Sequence, residues 1–166
     1  MTGLDRLWAG WRGEYMQSTG DPSIDCVFCR ILASDEPDEA THVIWRGHTA
    51  FAILNAYPYT SGHLMVMPLR HVAELDDLTT EESAELWSAL NDAVAVLKRA
   101  YAPEGVNVGI NLGRAAGAGV VGHLHVHAVP RWLGDSNFMT AIAETRVLPE
   151  SLGETDARLR KAWGAS

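Results

Sequence analysis

The chain has two cysteines among 166 residues, too few for a disulfide framework in a domain of this size. No apolar run approaches the ~20 residues that span a bilayer, so no membrane-spanning helix is expected. Cations are in short supply: 13 Lys and Arg stand against 21 Asp and Glu, for a formal net charge of −8. Such a surface repels a phosphate backbone, which argues against sequence-independent binding of duplex nucleic acid. A local pocket can still hold a small phosphorylated ligand. The segment Met1-Thr2-Gly3-Leu4-Asp5-Arg6 lacks the basic-then-apolar layout of a signal peptide, and the expected compartment is the cytoplasm. Internal repeats and low-complexity segments are also missing. The remaining composition, 47% apolar and 20% charged, suits one compact domain rather than disorder, collagen or coiled coil.

Residues 1–25 form a mixed N-terminal arm carrying Trp8, Trp11 and Tyr15, and Asp21-Pro22-Ser23 breaks the chain after it. Val43–Arg46 and Thr49–Leu54 read as strands flanking Gly47-His48, a two-residue hairpin link. A loop from Tyr57 to Gly62 leads into a strand His63–Met67, which Pro68 closes. Thr79 or Thr80 starts a helix, and Thr79 with Glu82 makes a capping box. Leu86, Leu90, Ala93, Val94 and Leu97 then repeat at helical spacing to about Ala100, a stripe for core or dimer packing. A strand over Val106–Asn111, a small-residue loop over Gly113–Gly119 and a strand over Gly122–Pro130 follow. The tail, 151–166, holds a last helix over Ser151–Trp163. Strands, one long helix, then strands with hairpin-like links predict a single α+β domain with a mainly antiparallel sheet of about five strands.

The informative segment is His123-Leu124-His125-Val126-His127. Strand side chains alternate, so the three imidazoles share one face, roughly 6.5–7 Å apart at the backbone, while Leu124, Val126 and Ala128 enter the core. One strand histidine is usually structural. Three in strict alternation after a glycine-rich loop point either to a metal site or to a phosphate site with a nucleophilic imidazole. Cys26-Val27-Phe28-Cys29 suits a redox pair or half of a tetrahedral zinc site, and by itself does not choose between them.

His123-Leu124-His125-Val126-His127-Ala128-Val129 resembles the signature of the histidine triad (HIT) nucleotide hydrolases and transferases. The resemblance extends upstream through Phe51–Asn55 and Gly62–Pro68, and downstream through Pro130–Met139. Leu7–Arg12 and Arg131–Phe138 are most similar to the branch that contains the diadenosine tetraphosphate (Ap4A) phosphorylases and hydrolases. The resemblance implies a HIT-like fold, a homodimer and a substrate carrying a nucleoside 5′-phosphoryl group, an adenosine polyphosphate in this branch. It also implies that His125 is the nucleophile, forming a nucleotidyl-histidine that water or phosphate resolves. In that chemistry the far nitrogen of His125 must donate to a fixed acceptor, and a backbone carbonyl is expected.

His127 is placed to donate to a non-bridging phosphate oxygen, so the candidate catalytic set is His125, His127 and His123. Gly117, Ala118 and Gly119 form a loop whose backbone N–H groups are expected to approach the phosphates. Asn111 is a candidate donor to the phosphate chain or leaving group, and Asn55 matches the position that binds the ribose. The chain departs from many relatives in one respect: Ala118-Gly119-Val120-Val121 stands where they carry a serine, threonine or glutamine before the triad. The resemblance further implies a structural zinc held by Cys26, Cys29, His71 and His123, in which case His123 cannot also act as general acid. His63 is expected to support the nucleotide pocket or the triad, and His42 and His48 to lie at the surface. Trp132 and Phe138 are candidates to cover a base, or equally for packing. The alternatives in function are a nucleoside phosphoramidase, a nucleotide sensor without turnover, and a metal-dependent hydrolase.

Overall fold

A computed structural model describes residues 26–135 and 149–164. The arm with Trp8, Trp11 and Tyr15, and Phe138, lie outside the described residues. Five strands, β1 (Val43–Arg46), β2 (Ala50–Leu54), β3 (Leu64–Pro68), β4 (Gly105–Ile110) and β5 (Val126–Arg131), form one antiparallel sheet in the order β1-β2-β3-β5-β4. The α-helices among the described residues are α1 (Val27–Ala33), α2 (Asp38–Thr41), α3 (Thr80–Tyr101) and α4 (Leu152–Trp163). This is the α+β antiparallel architecture expected from the sequence; α1 and α2 were not. Among the described residues no helix is long and apolar enough to cross a membrane.

Strand alternation divides the core in two. Ala52, Leu54, Leu64, Val66, Val126 and Ala128 face α3 and α4, where Leu86, Leu90, Ala93, Leu97 and Leu159 meet them. Phe51, Ile53, Met65 and Met67 point to the other side, where Phe28 of α1 covers them. With both faces covered, β2 and β3 are buried along their whole length. Truncating one of the fully buried leucines to alanine costs about 2–5 kcal/mol in such a core.

Capping boxes start both long helices, Thr79 with Glu82 for α3 and Ser151 with Glu154 for α4. Glu82 also receives two bonds from Arg70, at 2.8 and 2.7 Å. The Arg70 guanidinium and the Thr79 N–H hold the Glu82 carboxyl down at about 2. That pair ties the segment after β3 to the start of α3, next to His71. On α4, Trp163 stacks on Trp45 with ring centroids 5.7 Å apart.

Three expectations need correction. The β1–β2 link is Gly47–Thr49 rather than two residues, because the Glu85 carboxylate on α3 takes the N–H groups of His48 and Thr49 before the ladder begins. His42, unlike exposed His48, is half-buried; it closes α2 at φ 59° with its Nδ1 3.3 Å from Asp156 of α4. The last sheet strand begins at Val126, not Gly122. Before it the chain leaves the ladder, and the Leu124 N–H bonds the Val72 carbonyl at 2.7 Å instead of a strand neighbour.

Candidate active site

His123, His125 and His127 keep the alternation expected of them although only His127 lies in a regular strand. Leu124, Val126 and Ala128 enter the α3 side of the core, so the imidazoles emerge on the opposite face. Phe28 lies against both buried rings, 5.5 Å from His123 and 5.6 Å from His125. Burial pushes all three imidazoles below the ordinary histidine range, His127 to about 4 with neighbouring His125 adding to the effect. At neutral pH the triad is uncharged.

The tautomer of each ring follows from its partners. Nε2 of His123 lies 2.8 Å from the Pro68 carbonyl, which can only accept, so Nε2 carries the proton and Nδ1 presents a lone pair. That Nδ1 lies 3.4 Å from Cys26 Sγ and 3.6 Å from Cys29 Sγ. His71 brings its own Nδ1 to 3.3 Å from Cys29 Sγ. The four donor atoms all lie within 4.8 Å of one another. A zinc tetrahedron with bonds of about 2.3 Å to sulfur and 2.0 Å to nitrogen has edges of roughly 3.3–3.8 Å, so donor type and spacing are compatible with a metal site. Burial, then the neighbouring Cys26 sulfur, push the Cys29 thiol up to about 11. Cys26 caps α1 and Cys29 lies one turn inside it, which brings both sulfurs to the same end of the helix. Both nitrogens of His123 are therefore engaged away from the other two imidazoles, which removes it as a general acid.

His125 Nδ1 lies 2.7 Å from the carbonyl oxygen of His123. The expected backbone acceptor is thus two residues back in the same segment, and Nε2 of His125 is left unprotonated. His127 is set by another histidine. His63, fully buried, accepts the Tyr59 N–H on Nδ1 at 3.1 Å. Its Nε2 must then carry the proton, which it donates to Nδ1 of His127 at 2.9 Å. Nε2 of His127 is left holding a proton. The site therefore presents one imidazole lone pair and one imidazole N–H from adjacent rings whose centroids are 5.0 Å apart.

The other expected residues are distributed around this pair. Asn55 Oδ1 accepts the Tyr57 N–H at 2.9 Å in an Asx turn, and its amide nitrogen lies 3.4 Å from His63 Nδ1. Asn111 follows β4 directly after Ile110, whose ladder partner Val126 directly follows His125. In the loop after it, the Gly117 and Ala118 N–H groups bond the carbonyls of Arg114 and Gly113, at 2.9 and 3.3 Å, so those two amides are already satisfied inside the loop. Trp132 packs edge-on against Tyr101 of α3, 6.2 Å between centroids, which supports packing over base covering. Tyr59 was missed by the sequence reading: its ring lies 4.6 Å from His63 and stacks over His127 at 6.1 Å. Its place two residues after another aromatic, Tyr57, in the loop leading to His63 was the available signal.

A family model described as the HIT domain matches residues 36–132. The chain belongs to the HIT family. It is 43% identical to the AP-4-A phosphorylase of Mycobacterium tuberculosis, over 96% of this chain and 85% of the relative. A bis(5′-nucleosyl)-tetraphosphatase (asymmetrical) of Schizosaccharomyces pombe is 34% identical over 57% of this chain and 52% of its own length. Among solved structures, a zinc-bound histidine triad family protein from Mycobacterium smegmatis superposes with a TM-score of 0.69 at 31% identity, covering 86% of this chain and 96% of its own.

Proposed function

We propose that this HIT protein cleaves dinucleoside polyphosphates, with Ap4A as substrate, by nucleotidyl transfer through His125. The observation that carries the reading is the bond from His125 Nδ1–H to the His123 carbonyl, which leaves the Nε2 lone pair as the nucleophile. Nε2 attacks the α-phosphorus; the N–P bond forms as the P–O bond to the departing polyphosphate breaks, giving an adenylyl-histidine and ATP. The N–H of His127 stabilises the charge that develops on the phosphoryl oxygens. In the second step water or inorganic phosphate forms a new O–P bond and gives up its proton to solvent, the N–P bond breaks, and the Nε2 lone pair is restored. Splitting one displacement in two leaves the protein mainly to position and neutralise charge. Asn55 takes the ribose side, and Asn111 with the Gly119 amide the phosphates.

Cys26, Cys29, His71 and His123 would hold a structural zinc in this reading. The ion would pin α1 and the segment after β3 to the triad, and His123 thereby keeps its carbonyl under His125. Two copies would associate through β4, outermost among the described strands, whose Val108 is half exposed beside exposed Leu112. Cys26 and Cys29, unbridged and held as zinc thiolates in this reading, suit a reducing compartment, and the cytoplasm is the assignment.

The test is product analysis with Ap4A, with and without inorganic phosphate. AMP plus ATP identifies hydrolysis, and ADP plus ATP identifies phosphorolysis. Intact Ap4A under both conditions would sink the reading and leave the nucleoside phosphoramidase and the nucleotide sensor.

A further inference from the structure

On the site face of the sheet, His127 stands between Met65 of β3 and Gly109 of β4. Met65 is buried in the cluster that contains Phe28 and Phe51, and His63 and Tyr59 occupy the same side of His127. On the other side, a Cβ built at Gly109 meets nothing within 4 Å among the described residues. The backbone does not require glycine there, because Gly109 is not among the residues with positive φ. Nor does the ladder, which pairs without interruption from Gly105–Arg131 to Ile110–Val126. A glycine inside a strand weakens it, and with no bulge present its remaining use is the close approach of a ligand or another backbone. Asn107 precedes it at the period of a strand, so the two share the face of His127. Arg131 Nη1 donates to Asn107 Oδ1 at 2.8 Å, which engages the carbonyl of that amide.

We infer that Gly109 determines which leaving groups this site accepts. Its missing side chain keeps open the strip beside His127 over which a departing polyphosphate passes. The inference rests on the adenylyl-transfer reading: with adenosine on the β3 side at Asn55, the polyphosphate is left the β4 side. A β-branched residue at this position would stand in the path of a nucleoside polyphosphate and leave a small leaving group untouched.

The test compares Gly109→Val and Gly109→Ala with the wild type on two substrates that give the same adenylyl-histidine. One is Ap4A, from which ATP departs; the other is adenosine 5′-phosphofluoridate, from which fluoride departs. Gly109→Val should lower kcat/KM for Ap4A roughly 10–100-fold and keep that for the fluoridate within about threefold. Gly109→Ala should shift the same ratio in the same direction by less, and it covers the case in which the valine variant does not fold. Melting temperature should hold or rise, since a strand glycine is being replaced, and oligomeric mass should not change. Equal losses on both substrates, no loss on either, or an altered oligomeric mass would overturn the inference while leaving adenylyl transfer standing. A wild type that forms no adenylyl-histidine from either substrate overturns the parent reading and this one with it.

Discussion

The carbonyl oxygen of His123 lies 2.7 Å from Nδ1 of His125, and the ring of His123 is itself held by the Pro68 carbonyl on one nitrogen and faces two sulfurs with the other. One residue therefore links the cysteine cluster to the tautomer of its neighbour. His125→Ala should abolish turnover of Ap4A and leave nucleotide affinity largely intact, because a nucleophile acts mainly in the transition state. Acid-quenched reactions with labelled substrate should show label on the wild type and none on the variant. Wild-type turnover by His125→Ala would exclude the nucleotidyl-histidine route.

The Cys26, Cys29, His71 and His123 cluster makes a separate claim. The purified protein should carry about one zinc per chain, and Cys26→Ser or His71→Ala should release it. A loss of about 3 kcal/mol would lower the melting temperature by roughly 6–12 °C. Since the Cys29 thiol sits at about 11 without metal, binding must displace its proton, and affinity should rise with pH. Elemental analysis and melting curves with and without chelator check this. Metal-free protein of unchanged stability would dismiss the assignment.

Acid should expose the buried triad. His127 titrates at about 4 in the fold, below its ordinary 6.5. Below 6.5 the unfolded chain takes up the proton first, so the contribution of neutral His127 is complete above about 6.5 and is lost as pH falls through about 4. Denaturant titrations of the wild type should show stability declining across that window, and His127→Gln should flatten the decline. The acid limb of kcat/KM should also fall below 6.5. An unchanged slope in the variant would mean that His127 is not held neutral by the fold.

Much of this site was legible because it depends on local periodicity. The alternation of His123, His125 and His127 with Leu124, Val126 and Ala128 survives even where the regular strand does not, since one side of the segment must still reach the core. Thr79 with Glu82 is a four-residue signal and is found as a capping box. Partners set by tertiary approach were not legible. Nothing near Pro68 in sequence says that its carbonyl meets His123. Nor does His42 in a polar turn announce Asp156, 114 residues away. The start of β5 failed for the same reason, because Val72 takes the Leu124 N–H from outside the sheet. Asn55 shows both sides at once: its turn role is read off two neighbouring residues, and its approach to His63 is not.

His63 offers the last prediction. The Tyr59 N–H occupies its Nδ1, so its Nε2 proton goes to His127 Nδ1, and this forces the remaining proton of His127 onto the nitrogen that faces phosphate in the proposed reaction. His63 touches no reacting atom in this scheme; it is a positioning residue. His63→Leu removes the donor, and His127 is then free to take the tautomer that presents a lone pair to an anionic phosphate. For Ap4A, kcat should fall by roughly 10²-fold with KM nearly unchanged, the pattern of an interaction made in the transition state. His63→Gln restores an N–H in reach of His127 Nδ1 and should recover most of that loss. A merely structural role would lower the melting temperature of both variants alike and would not separate them kinetically. Equal kcat for His63→Leu and His63→Gln would therefore show that the proton on His127 is not set by His63.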